Sequence, residues 1–199
     1  MVEAAGEIGI KYLTVYSFST ENWRRPASEV SALFGLLKTY MQKDLNRLRK
    51  EGVKITIIGR REGLPKDIAD LVAKAERDTH DNDRFYLNIA FNYGGREEIV
   101  RAMRKVAADA ATGRIEPETI TEDTFAAYLD TGCMPDPDLL VRTSGEYRLS
   151  NFLLWQIAYS ELVFLDVLWP DFDRTWLEKA IQAYHERERR FGAVSPGEL

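Results

Sequence analysis

The chain has 199 residues, 45% of them hydrophobic, a single cysteine, and a net charge of −5 from 27 Lys and Arg against 32 Asp and Glu. That length suits one domain with one sizeable core, the acidic balance argues against non-specific nucleic-acid binding, and a lone Cys133, read as a packing residue, excludes an internal disulfide. No apolar run approaches the ~20 residues needed to span a bilayer, and no charged start leads an apolar stretch, so the expectation is one cytoplasmic domain over residues 1–199.

Taken in chain order, residues 12–18 form the first β-rich apolar run. Ser19-Thr20-Glu21-Asn22-Trp23-Arg24-Arg25 follows, crowding hydroxyls, an amide, an indole and two cations ahead of a long helix. Such a cluster alone reads as turn chemistry, but ligands of parallel sheets sit beyond the carboxyl ends of strands, which makes this loop a candidate site. The helix predicted over 28–50 carries Val30, Leu33, Phe34, Leu37, Tyr40, Met41, Leu45 and Leu48 close to one apolar stripe. A strand over 53–58, a helix over 65–79 and a strand over 86–91 come next. In Asn92-Tyr93-Gly94-Gly95-Arg96, the glycines either make a tight turn or let backbone approach a ligand, with structural support the preferred reading.

Helices are predicted over 96–112 and 121–129, then a turn-rich loop at 132–137, strands over 139–141 and 163–169, and a helix over 174–191. Nearly continuous apolar strands alternating with helices imply an α/β fold with a mostly parallel sheet buried on both faces. Phe18-Ser19, Asn92-Tyr93 and Arg142 would then share one rim.

The segment from Arg142 to Glu161 carries the densest chemistry. Arg142 ends a strand, a Ser144-Gly145 turn follows, and Arg148 precedes Ser150-Asn151, which reads as a helix start. Two forked guanidiniums beside the free amides of a first helical turn suit a diphosphate, and the flanking Glu146 and Glu161 could hold a divalent metal. His80 and His185 lie in polar context without ligand spacing and read as solvent-facing.

The run from Arg142 to Gln156, with Tyr159-Ser160-Glu161-Leu162 and Trp169-Pro170-Asp171-Phe172, resembles the signature of the cis-prenyltransferases. Residues 16–26, Asn92-Tyr93-Gly94-Gly95-Arg96 and Glu188-Arg189-Arg190-Phe191-Gly192 are similar to further motifs of that family, in the same order. The resemblance implies sequential cis-condensation of isopentenyl diphosphate onto an allylic diphosphate such as farnesyl diphosphate, with Mg²⁺, and delivery of a polyprenyl diphosphate product to the membrane. It implies that Ser19, Thr20, Glu21, Trp23 and Arg25 contact substrate and that Arg142, Arg148, Leu149 and Ser150 hold isopentenyl diphosphate. Asn22 is the implied catalytic residue; as amides are weak bases, orienting a diphosphate oxygen or a water that takes the proton fits it better. Glu161 is the implied metal ligand.

The same resemblance implies a hydrophobic tunnel walled in part by helix 28–50, and a homodimer whose Arg190-Phe191-Gly192 tail reaches the partner's site. The family's amino-terminal Asp-Gly-Asn-Gly-Arg-Trp loop, which supplies the main metal ligand, has no counterpart in this sequence, so a truncated chain, inactive by itself, is one expectation. Tyr147 replaces a His of some relatives, and Ser144 replaces a usual Gly. A non-catalytic partner subunit is the alternative function. Nucleotide binding is disfavoured, as neither glycine fingerprint of nucleotide sites occurs.

Overall fold

A computed structural model describes residues 1–187. Helix α1 (Val2–Ile8) ends at Gly9, whose φ of 94° suits glycine and turns the chain towards strand β1 (Tyr12–Ser19). A 3-10 turn (Thr20–Arg24) leads to α2 (Ala27–Lys50), preceded by Pro26, whose fixed φ and missing N–H disturb nothing at a helix start. Strand β2 (Val53–Ile58), helix α3 (Lys66–Asp78) and strand β3 (Phe85–Tyr93) complete a parallel sheet of order β1-β3-β2, with Val15 opposite Ile89 and Ile55 opposite Leu87. Parallel neighbours cannot be joined by a hairpin, and α2 and α3 supply the crossovers.

The main core lies where Val30, Phe34, Met41 and Leu45 of α2 and Ile68 and Val72 of α3 close over the sheet. Each such side chain, fully buried, contributes about 1.5–3 kcal/mol. The predicted stripe of α2 is therefore core, except that Tyr40 stands 61% exposed outside it.

Helix α4 (Gly95–Ala111), the short α5 (Glu122–Ala126), strands β4 (Leu139–Arg142) and β5 (Glu161–Phe164) and helix α6 (Arg174–His185) follow. Strands β4 and β5 pair in parallel, with Leu139 opposite Glu161 and Arg142 opposite Phe164. A second core cluster joins Ile58, Ala90 and Tyr93 of the first sheet to Leu140 of β4 and to Leu153 and Ile157 beyond the site.

The parallel α/β reading holds, with three adjustments. The strands form a three-stranded and a two-stranded sheet among the described residues, so β3, with neighbours on both sides, is buried along most of its length. Edge strand β1 is buried only at Phe18. The strand expected over 163–169 is instead β5, because beyond Arg142 the ladder gives way to turn bonds from Ser144 N to Val167 O (2.8 Å) and Gly145 N to Leu165 O (3.0 Å). Helix 121–129 contracts to α5, capped by Thr121, whose hydroxyl accepts the Thr124 N–H. Cys133 is exposed rather than packed, and the Arg190-Phe191-Gly192 motif lies outside the described residues. Among the described residues, no helix is long and apolar enough to cross a membrane.

Candidate functional site

At the carboxyl ends of β1 and β4 lies a cavity of about 650 Å³ whose wall includes Ser19, Glu21, Asn22, Arg25, Arg142, Arg148 and Ser150. Seven of the predicted site residues meet on this wall, whereas Asn92 and Tyr93, expected on the same rim, do not line it. Four others, Glu161 among them, do not line the cavity. Thr20 donates to Glu21 (3.3 Å) and crowds Gly94. Trp23 packs edge-on against Phe18 and Phe34 while its Nε1 donates to Asn92 Oδ1 (2.8 Å). Leu149 packs against the second core cluster.

Arg142 carries the strongest indication of a ligand. Among the described residues its Nε is buried without a hydrogen-bond partner, and an orphaned donor of this kind costs about 1–3 kcal/mol unless something else satisfies it. Arg148 is exposed and pairs with Glu146, so Glu146 neutralises a cation rather than standing ready as a metal ligand. Arg25 pairs with Glu29 (2.7 Å).

In the 3-10 turn, Asn22 Oδ1 accepts the Ser19 N–H (2.8 Å). That bond leaves the side-chain amide N–H group, a pure donor, as what Asn22 presents to the cavity, and a donor orients an oxygen rather than removing a proton. Burial, reinforced by the charge of nearby Glu21, pushes the Tyr16 hydroxyl up to about 12, so it stays protonated and donates to Tyr93 O (3.1 Å). Burial would raise the Glu21 carboxyl, but the hydrogen bond from Asn151 and bonds within its own loop outweigh it, and the group titrates below its ordinary range.

The helix start expected at Ser150-Asn151 does not form. Ser150, Asn151 and Leu153 have φ of 51°, 63° and 44°, left-handed values that no right-handed helix can propagate, and a chain of turns runs on to Ser160. The helix amino terminus near the rim is that of α4, and its first two amides are taken: Gly95 N donates to Asn151 O (2.7 Å) and Arg96 N to Asn151 Oδ1 (2.9 Å). Sequence reasoning missed Asn151 by reading it as a helix cap, although Asn tolerates the left-handed region better than most residues. Ser144 also sits there, at φ 71°, which explains why a glycine would suit that position.

The double glycine is structural, as expected. A Cβ on Gly94 would stand 2.6 Å from Thr20 Oγ1 and 2.8 Å from Asn151 Nδ2, and one on Gly95 would press on Leu154 and on the Asn151 carbonyl. Gly94→Ala is expected to slow turnover at this cavity about tenfold by displacing both side chains, worth ~1.4 kcal/mol, with a smaller loss in Tm than Gly95→Ala, where backbone must yield. Steady-state rates and thermal melts of the two variants check this.

Glu161, expected to bind metal, opens β5 opposite Leu139, three register steps from Arg142, and accepts from Arg187 Nη1 (3.0 Å). Among the described residues, no group of three or more His, Cys, Asp or Glu is arranged to hold a metal ion. Tyr147 is 77% exposed over Phe164, and His80 and His185 face solvent.

The family model of undecaprenyl diphosphate synthase matches residues 1–192. Isoprenyl transferase 2 of Bradyrhizobium diazoefficiens is 55% identical over 194 residues, covering 98% of this chain and 77% of that protein. The isoprenyl transferase of Agrobacterium fabrum is likewise 55% identical over 194 residues, covering 98% and 78%. Among solved structures, lavandulyl diphosphate synthase from Lavandula x intermedia, in complex with dimethylallyl diphosphate, superposes with a TM-score of 0.93 at 37% identity, covering 96% of this chain and 83% of that one. Motifs, fold and relatives agree along the chain's length, which therefore belongs to the undecaprenyl diphosphate synthase family of prenyltransferases.

Proposed function

We propose that this prenyltransferase condenses isopentenyl diphosphate repeatedly onto an allylic diphosphate, with Arg142, Arg148 and Ser150 holding the isopentenyl diphosphate and the Ser19–Arg25 loop facing the reacting carbons. The observation that carries the reading is the buried, partnerless Arg142 Nε in a wall shared with Arg148 and Ser150. Guanidinium forks match phosphate oxygens two bonds at a time.

The reaction breaks the allylic C–O bond, its electron pair leaving with diphosphate. The isopentenyl double bond supplies the new C–C bond, and one proton is lost to give a cis double bond. Little covalent work falls to the protein, so catalysis is positioning and charge neutralisation. Asn22 orients the oxygen that receives the proton, on diphosphate or on water. Mg²⁺, when bound, would offset the charge of the leaving diphosphate. It commonly binds through one or two carboxylates plus substrate phosphates rather than in an all-protein cage, which suits a cavity lined, among the described residues, by the carboxylate of Glu21. A role for Glu161 would require its release from Arg187. The homodimer, the apolar tunnel beside α2, the cytoplasmic location and product delivery to the membrane belong to the same proposal.

The test has two parts, isopentenyl diphosphate binding by calorimetry and transfer of labelled isopentenyl diphosphate to farnesyl diphosphate with Mg²⁺. Binding with label entering long polyprenyl diphosphates is the expected result. Binding without transfer would replace the enzyme by a non-catalytic partner subunit, and absence of binding would overturn the site assignment.

A further inference from the structure

Asn151 makes three hydrogen bonds that join the turn after the diphosphate-binding arginines to the Glu21 loop and to the start of α4. Its Nδ2 donates to Glu21 Oε1 (2.9 Å), 130 residues earlier, while its Oδ1 accepts from Arg96 N (2.9 Å) and its carbonyl accepts from Gly95 N (2.7 Å). The amide orientation is fixed by chemistry, since a carboxylate can only accept and a backbone N–H can only donate. Gly94, the residue before α4, has no side chain to cap the helix, and Asn151 performs that task from the far side of the cavity.

The residue is also held in a strained stretch. Ser150, Asn151 and Leu153 are all left-handed, a conformation that costs each non-glycine residue about 1–2 kcal/mol unless surrounding bonds enforce it. Arg148 and Ser150 lie immediately before this turn, and Glu21 lies in the loop that carries Asn22. Asn151 thus sits at the seam between the diphosphate cradle and the loop facing the reacting carbons.

We propose that Asn151 is a positioning residue that fixes the Glu21–Asn22 loop relative to the diphosphate cradle, using its amide N–H for the loop and its amide oxygen for the amino terminus of α4. The proposal rests on the prenyl-transfer reading of the cavity. It separates the two ends of one side chain, so Asn151→Asp is the informative change. The new carboxylate still accepts the Arg96 N–H, and a negative charge suits a helix amino terminus, but it faces Glu21 with like charge and no donor.

In Asn151→Asp, Tm is expected to stay within about 2 °C of the parent, and the first turn of α4 to stay protected from hydrogen exchange. Amides of Ser19 to Arg25 should exchange about tenfold faster, and kcat should fall about tenfold with the KM for isopentenyl diphosphate changing less than about threefold, because the cradle is intact. In a Glu21→Gln background, whose amide can donate to the new carboxylate, Asn151→Asp should cost less than about threefold in kcat. Unchanged loop exchange, or a fall in kcat that tracks a fall in Tm and is the same in both backgrounds, would overturn the proposal. Should the parent protein show no transfer, the prenyl-transfer reading fails separately, and the loop-exchange comparison still decides whether Asn151 holds the loop.

Discussion

Arg142→Ala is expected to weaken isopentenyl diphosphate binding by one to two orders of magnitude without destabilising the protein. Charge-assisted hydrogen bonds contribute about 1.5–3 kcal/mol each, and about 1.4 kcal/mol is a factor of ten in Kd. The stability half of the expectation follows from Nε, which is buried with no partner among the described residues. Deleting a side chain with an unmet donor relieves a penalty that the ligand would otherwise remove, so Tm should hold or rise slightly. A guanidinium kept for packing would behave in the opposite way, with lower Tm and unchanged Kd. Arg142→Lys should recover only part of the affinity, because an ammonium is a point charge without the planar fork. Calorimetric titration with isopentenyl diphosphate, alongside thermal melts, separates the cases, and an unchanged Kd in Arg142→Ala would remove the arginine from the site.

That prediction rests on a residue that could be picked out from the sequence alone, since Arg142 follows a short apolar run and precedes a Ser-Gly turn. The parallel α/β class was legible for the same reason, apolar runs of strand length alternating with helical stripes. Features set by tertiary geometry were not. Ser150-Asn151 carries the composition of a helix cap, and only the left-handed φ values show that Asn151 caps α4 instead. Trp23, implied by the resemblance as a substrate contact, packs on Phe18 and Phe34 and bonds Asn92 through Nε1, with 38% of it still exposed. Glu161 looks available in one dimension and is paired with Arg187 in three. The division into two sheets was equally invisible, because strand periodicity reports which faces are apolar and not which strands are neighbours.

The largest stability effect is expected at Glu98, whose charge suggests a helix surface but which is 1% exposed on the face of α4 that also buries Ala102 and Val106. Its carboxylate accepts the Tyr93 hydroxyl (2.6 Å), the Asp130 N–H (2.9 Å) and Gln156 Nε2 (3.1 Å), joining α4, the end of β3, the turn beyond the site and the loop after α5. Glu98→Ala strands two of these donors in the core and leaves Gln156 only its bond to Thr131 (2.9 Å). Each donor stranded in the core costs about 1–3 kcal/mol, so the pair takes a large share of the ~5–15 kcal/mol that holds a domain together. At ~2–4 °C per kcal/mol for a chain of this size, Tm should fall by about 10 °C. Glu98→Gln, which keeps one acceptor oxygen but turns an N–H group towards donors, should fall between the two. The network also sets an alkaline limit: burial first, then the Glu98 charge, raises the Tyr93 hydroxyl well above its ordinary value. Stability from a raised tyrosine is fully present below the unfolded pKa near 10 and is lost as pH climbs above it, because the unfolded chain ionises first. Denaturant melts of the parent and Glu98→Ala from pH 7 to 11 test both statements. Both proteins should lose stability above pH 10, because burial alone keeps the folded Tyr93 hydroxyl protonated, and a Glu98→Ala deficit below about 1 kcal/mol at pH 7 would show that the network is dispensable.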